Sequence, residues 1–220
     1  LDSPELRAQR LKDDPTDYSM KTYFHWIDRG VAFYFLDNAS GEQIDGAQMA
    51  WFETLLEKDM MDPTVKTVVV GMHKPLPESI SLAHSMNESP AGTSSGRRVY
   101  ADLLRAQDRA HKFVYVLSSH SHFYMDGIFN TDYWKKHGGV LPGWIVGTAG
   151  AMRYPLPPGS AEAHGALQNV YGSLVGTVEP GGDINFNFAE LSESDIPAAV
   201  VSRYGKDFVH WCFAENTEVR

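Results

Sequence analysis

The chain has a single cysteine in 220 residues, Cys212, so no internal disulfide can form and a disulfide-stapled scaffold is excluded. No apolar run is long enough to span a bilayer, so no membrane partner is expected. There is no run of basic residues. With a formal charge of -9 and a pI near 5.4, a nucleic-acid surface is not expected. Internal repeats and heptads are missing as well. Against these absences, 43% of residues are hydrophobic, enough for the core of one ordinary domain or of half a larger one.

Histidines at strand ends are the positive signal. Lys112 to Ser118 is an apolar, β-branched run that reads as a buried strand, and His120 and His122 follow it directly. On an extended backbone the two would face one side, with Cα atoms roughly 6.5–7 Å apart. That spacing suits two imidazoles on two metal ions roughly 3.5–4 Å apart, as in dinuclear hydrolase centres. Thr67 to Met72 is a second apolar strand, and it delivers His73 at its end. Open sheets with crossover helices carry their chemistry at the C-terminal ends of strands. The remaining candidates, His25, His111, His137, His164 and His210, read as structural or simply exposed histidines.

Gly71-Met72-His73-Lys74-Pro75 and Ser119-His120-Ser121-His122 resemble the last two motifs of the calcineurin-like metallophosphoesterases, Gly-x-His and Gly-His-x-His. The strand pair around Gly30 to Asp37, the helix opened by Gln48 and Trp51, and the turn Gly147-Thr148-Ala149-Gly150 follow the family's order, so the likeness runs from about Tyr23 to Pro157. Ser119 stands where the family has glycine. The earlier motifs, Asp-x-His, Gly-Asp-x-x-Asp and Gly-Asn-His-Asp/Glu, are missing from the chain. The resemblance therefore implies the C-terminal half of a layered α/β-β/α sandwich, with the other half upstream in a parent chain or on a second polypeptide. It implies two divalent or trivalent ions, His73 and His120 binding one and His122 the other. Imidazole suits manganese, iron, zinc and nickel alike. The implied activity is phosphoester hydrolysis by a metal-activated hydroxide, on a small-molecule or other phosphoester.

Residues 1–22 read as a helical linker, with Ser3-Pro4 as cap and first helical residue and Asp13-Asp14-Pro15 as a stop; 23–220 form the domain. A hairpin is expected across Asp28-Arg29-Gly30, a helix over 46–58 and another from Val99 to Ala110. Between His73 and that second helix, residues 74–98 are rich in proline, serine and glycine. They read as a loop insertion, either a substrate lid or a disordered surface segment, with His84, Arg97 and Arg98 as candidates for holding a phosphate. A short helix over 133–137, a strand from Trp144 to Ala149, strands over 174–178, 184–191 and 208–213, and a helix over 195–204 complete the expectation.

Two other readings were open. A metallo-β-lactamase pattern fails because Tyr124 and Met125 occupy its last positions. A cupin barrel would use Asp126 after the histidine pair, but needs hairpin strands throughout. A further alternative is a non-catalytic fragment or pseudo-enzyme subunit, because three neutral imidazoles leave two ions short of charge and ligands. An extracytoplasmic setting, secreted or periplasmic, is the favoured compartment. If the chain is half of a sandwich, one strand row should lack a partner, and the strands ending at His73 or His120 are expected to border it.

Overall fold

Residues 3–13, 21–39 and 41–217 are described in the computed structural model. After helix α1 (Pro4–Asp13), strands β1 (Phe24–Asp28) and β2 (Val31–Leu36) form the expected hairpin, turning on Arg29 and Gly30, both at positive φ. The expected stop at Asp13-Asp14-Pro15 lies partly outside the described residues. Helix α2 (Gly46–Met61) starts at Asp45, whose carboxylate accepts from the Gln48 N–H, and it leads to β3 (Thr67–Met72). Helix α3 (Pro90–Asp108) then crosses over to β4 (Phe113–Ser118). β5 (Tyr124–Asp126), α4 (Asp132–Lys136), β6 (Gly143–Val146) and β7 (Gly165–Leu167) complete a seven-stranded sheet of order β1-β2-β3-β4-β6-β5-β7.

The middle of that sheet is parallel, β2 through β3 and β4 to β6, and its margins are antiparallel. Crossover helices on parallel strands exclude the cupin barrel and give a mixed α/β fold. Every residue of β3 is buried, as a central strand covered on both faces requires. On one face, Ala32, Tyr34, Val68, Val70, Val114 and Val116 pack with Phe52 and Leu56 of α2 and Val99 and Leu103 of α3. The other face carries Val31, Val69, Tyr115 and Trp144, covered by Leu174, Ile184 and Phe186. These last residues belong to a separate hairpin, β8 (Tyr171–Val178) and β9 (Ile184–Leu191). Helices α5 (Ala198–Tyr204) and α6 (Lys206–Ala214) follow, and Phe213 lies 5.4 Å from the Tyr171 ring at the hairpin's first residue. The layers run helix, sheet, hairpin, helix.

Three expectations are corrected. Residues 208–213 are helical, not a strand: Phe208 and Trp211 stack at helical spacing, and Val209 is buried. Residues 90–98 are the first half of α3, not loop. Ser89 caps the helix through its hydroxyl and Pro90 is its first residue. Gly92 and Gly96 are there because a Cβ would sit 2.5 Å from the Glu42 carbonyl and 2.4 Å from Pro77. What remains irregular, 73–89, is packed rather than disordered: Leu76, Ser85 and Met86 are buried, and Met86 N–H donates to Pro75 O. The third correction concerns the open row. β3 lies between β2 and β4, and β4 between β3 and β6, so neither histidine-bearing strand borders an unpaired edge.

His25 is structural, as expected. Its Nε2 lies 2.8 Å from a carboxylate oxygen of Asp59, which also accepts from the Tyr34 hydroxyl in the core. Among the described residues, no helix is long and apolar enough to cross a membrane.

Candidate metal centre

The strand ends bring two histidine loops together through the backbone. The His73 carbonyl accepts from the N–H groups of Ser119 (3.0 Å) and His120 (2.8 Å). The His73 loop is held from its other side by Asn38, just past the end of β2. Its Oδ1 accepts from the N–H groups of His73 and Lys74, and its Nδ2 donates to the Lys74 carbonyl. Asn38 is itself positioned by α2: the Gln48 side chain accepts from Asp37 N and donates to Asp37 O. In the sequence Gln48 stands out only as the opening of a helix, and Asn38 does not stand out at all. A polar residue one strand-end away from each ligand loop was the available signal.

With the loops joined, His73 Nε2 lies 2.8 Å from His120 Nδ1. Two imidazole nitrogens on one tetrahedral ion, with bonds near 2.0–2.1 Å, stand roughly 3.3 Å apart, so a small opening would admit a metal between them. The backbone after β4 is not extended, against the premise of the sequence reading. Residues 120–123 bend, and Phe123 N–H donates to Ser121 O. His122 consequently leans away: its ring stacks on Tyr154 at 4.3 Å. Its Nδ1 lies 2.7 Å from the Met152 carbonyl, which only accepts, so Nδ1 carries the proton and the Nε2 lone pair is free. Ser119 does not sit at positive φ, which explains why glycine is dispensable there.

His84 joins the cluster from the turn Leu82–His84, its ring 5.6 Å from His120 and 6.1 Å from Tyr154. His84, Glu88 and His120 each bring one ligand atom within 4.8 Å of the others. Glu88 is shared with Lys74, whose ammonium lies 2.5 Å from it and 3.1 Å from Glu42. Burial opposes that charge, but the two carboxylates hold the Lys74 pKa above its ordinary value. Two carboxylates against one ammonium leave a surplus negative charge beside the imidazoles. Arg97 and Arg98 are not brought to this cluster: Arg97 pairs with Glu78 over the Tyr133 ring, and Arg98 holds Glu53 on α2 through two nitrogens.

Burial lowers the pKa of both His73 and His120, and neighbouring groups that would repel a second positive charge add to it: Lys74 and then His122 for His73, and His73 and then Lys74 for His120. Both imidazoles are therefore neutral at pH 7, the form that can donate a lone pair. The depressed direction means the neutral form is favoured in the folded chain, so stability from this source is present above the ordinary imidazole range. It is lost as pH falls through that range. Histidine NMR titration of the metal-free chain should find both midpoints below about 6.5; a midpoint at or above that value for either would contradict the described burial.

The donor set fits a divalent ion in kind, with neutral imidazoles and the Glu88 carboxylate in reach. No protein-family model matches the chain, and no curated protein matches it. Among solved structures it is similar to purple acid phosphatase PPD1 from yellow lupin (Lupinus luteus) seeds, at 16% identity and a TM-score of 0.40, over 58% of this chain and 23% of that one. It is also similar to PhoD, at 15% identity and a TM-score of 0.47, over 83% of this chain and 46% of that one. The chain thus spans less than half the length of either.

Proposed function

We propose that this chain supplies the histidine half of a metal-dependent phosphoester hydrolase. His73 and His120 would hold one divalent or trivalent ion, and His122 would offer its free Nε2 to a second. The observation that carries this reading is the 2.8 Å approach of His73 Nε2 to His120 Nδ1 from adjacent parallel strands. Bound there, the ions would supply the activated hydroxide and the charge that stabilises the transferring phosphoryl oxygens. The chain's own groups have narrower tasks. Asn38 and the His73 carbonyl orient the ligand loops, Met152 O sets the tautomer of His122, and Lys74 holds the Glu88 carboxylate in an ion pair beside the centre. His84, exposed 5.6 Å from the His120 ring, would meet a phosphate oxygen.

The carboxylates that such a centre needs would come from an upstream segment or a second polypeptide. The described chain alone should therefore hydrolyse p-nitrophenyl phosphate no faster than metal-matched buffer. In a protein completed by a segment or polypeptide that carries those carboxylates, metal-dependent turnover should appear and His122→Ala should abolish it. Turnover by the 220 residues alone that His122→Ala removes would show a self-sufficient centre; no turnover in the completed protein would leave the non-catalytic subunit as the better reading.

A further inference from the structure

The irregular segment between β3 and α3 is built around two short turns in succession, Leu82–His84 and Met86–Glu88. Each is closed by its own backbone, His84 N–H donating to Ser81 O and Glu88 N–H to Ser85 O. The Ser85 hydroxyl caps the second turn by accepting from the Asn87 N–H. Ser81 ties the first turn to the histidine loop: its hydroxyl lies 3.3 Å from that of Ser121, between His120 and His122, and both serines are buried. His84 and Glu88, four residues apart, are therefore presented to His120 from a fixed backbone.

The donor atoms of His84, Glu88 and His120 all lie within 4.8 Å of one another. An ion among three atoms at that spacing stands at most about 2.8 Å from each. Each donor then closes by under about 1 Å to reach the roughly 2.0–2.2 Å of zinc bonds to imidazole and carboxylate. The His84 and Glu88 side chains are exposed and free to make that movement. Two imidazoles and one carboxylate, with a further position open to water, suit zinc-class ions; magnesium and calcium take oxygen ligands instead. Lys74 does not hold Glu88 back. Glu42 lies 3.1 Å from the same ammonium and remains its partner when Glu88 turns to an ion.

We infer that His84, Glu88 and His120 form a site for a single divalent ion of the zinc class, complete within this chain and distinct from the two ion positions of the proposed centre. It uses neither His73 nor His122, and it needs no carboxylate from elsewhere. A neutral imidazole offers one lone pair, so His120 serves one ion at a time. An ion held here withholds His120 from the position beside His73, and His84 from a phosphate. Its effect on the proposed centre is inhibitory: the site must empty before that centre fills. This consequence rests on the proposed function, whereas the ligand set stands without it.

Zinc titrated into the metal-free chain against a chromophoric chelator reads this site without any turnover. One ion per chain should bind, and His84→Ala and Glu88→Gln should each weaken it by about tenfold or more. Glu42→Gln removes the same charge from the other side of Lys74 and should change the affinity by less than about threefold. All three positions are exposed, so the unfolding transition of the metal-free variants should stay in place. If His73→Ala releases the zinc while His84→Ala and Glu88→Gln do not, the ion sits between His73 and His120; that overturns the inference and supports the proposed centre. Equal losses in Glu42→Gln and Glu88→Gln would overturn it by reducing the site to diffuse charge, and so would no uptake up to about 1 mM zinc. Zinc held by His84 and Glu88 in a completed protein that hydrolyses nothing would sink the proposed function and leave this site standing.

Discussion

Replacing Asn38 with alanine should lower the unfolding free energy by about 2–6 kcal/mol, because the two buried backbone groups of Lys74 lose their side-chain partner at about 1–3 kcal/mol each, and the partly buried His73 N–H loses its own. Asn38 is 0% exposed, so water cannot take its place without opening the loop. Against the usual 5–15 kcal/mol for a domain, that is a large fraction, and the melting temperature should fall by roughly 10–20 °C. The effect on the site should be larger still. His73 is tethered by Asn38 on one side and by Ser119 and His120 on the other, and losing the first tether frees its imidazole from His120 Nδ1. Asn38→Asp keeps the two acceptor bonds and loses only the donation to Lys74 O, so it should lie between wild type and alanine. Urea unfolding of the three proteins, with cobalt binding followed by absorbance, tests this. A loss below about 1 kcal/mol in the alanine variant would show that the loop is held elsewhere.

The parts of this molecule that could be read from sequence are those where one physical demand dominates. Thr67 to Met72 must be strand because a run built on three successive valines has no exposed side to offer, and the structure buries all six residues. The β1–β2 turn needed Gly30, at φ +81°, with a Thr64 carbonyl too close for any Cβ. Where two demands compete, pattern misled. Serine and glycine in 90–98 suggested a loop by composition, yet Ser89-Pro90 is a cap-and-first-residue pair like Ser3-Pro4, and the glycines allow α3 to press against Pro77 and Glu42 O. The aromatics of 208–213 suggested a strand by propensity, but their burial follows helical spacing. At the site, His73 and His120 were legible from strand-end placement, whereas Glu88, Tyr154 and Asn38 were not. Their roles depend on which loops meet in space, and no local period reports that.

The same limit applies to Gly147, which the sequence suggested only as a family-like turn. A Cβ there would lie 2.0 Å from Ser121 O and 2.5 Å from Ser119 O, so the chain leaving β6 runs directly against the backbone that carries His120 and His122. Neither side can easily retreat. Ile145 and Val146 are paired with Met125 and Tyr124, and Ser121 is 0% exposed with its hydroxyl 3.3 Å from that of Ser81. Gly147→Ala should therefore move the His120–His122 loop by about 1 Å and cost about 1–3 kcal/mol of overpacking. Displacement on that scale is enough to reduce catalysis roughly a hundredfold where ligands must hold a reacting geometry. The expected pattern is a modest fall in stability with a large fall in metal affinity, and in turnover once the centre is complete. Gly165→Ala is the control, since a Cβ at that position meets nothing within 4 Å and φ is not positive; it should change stability by less than about 0.5 kcal/mol. If Gly147→Ala binds metal as tightly as the control variant does, the close approach of β6 is not what holds the two histidines in place.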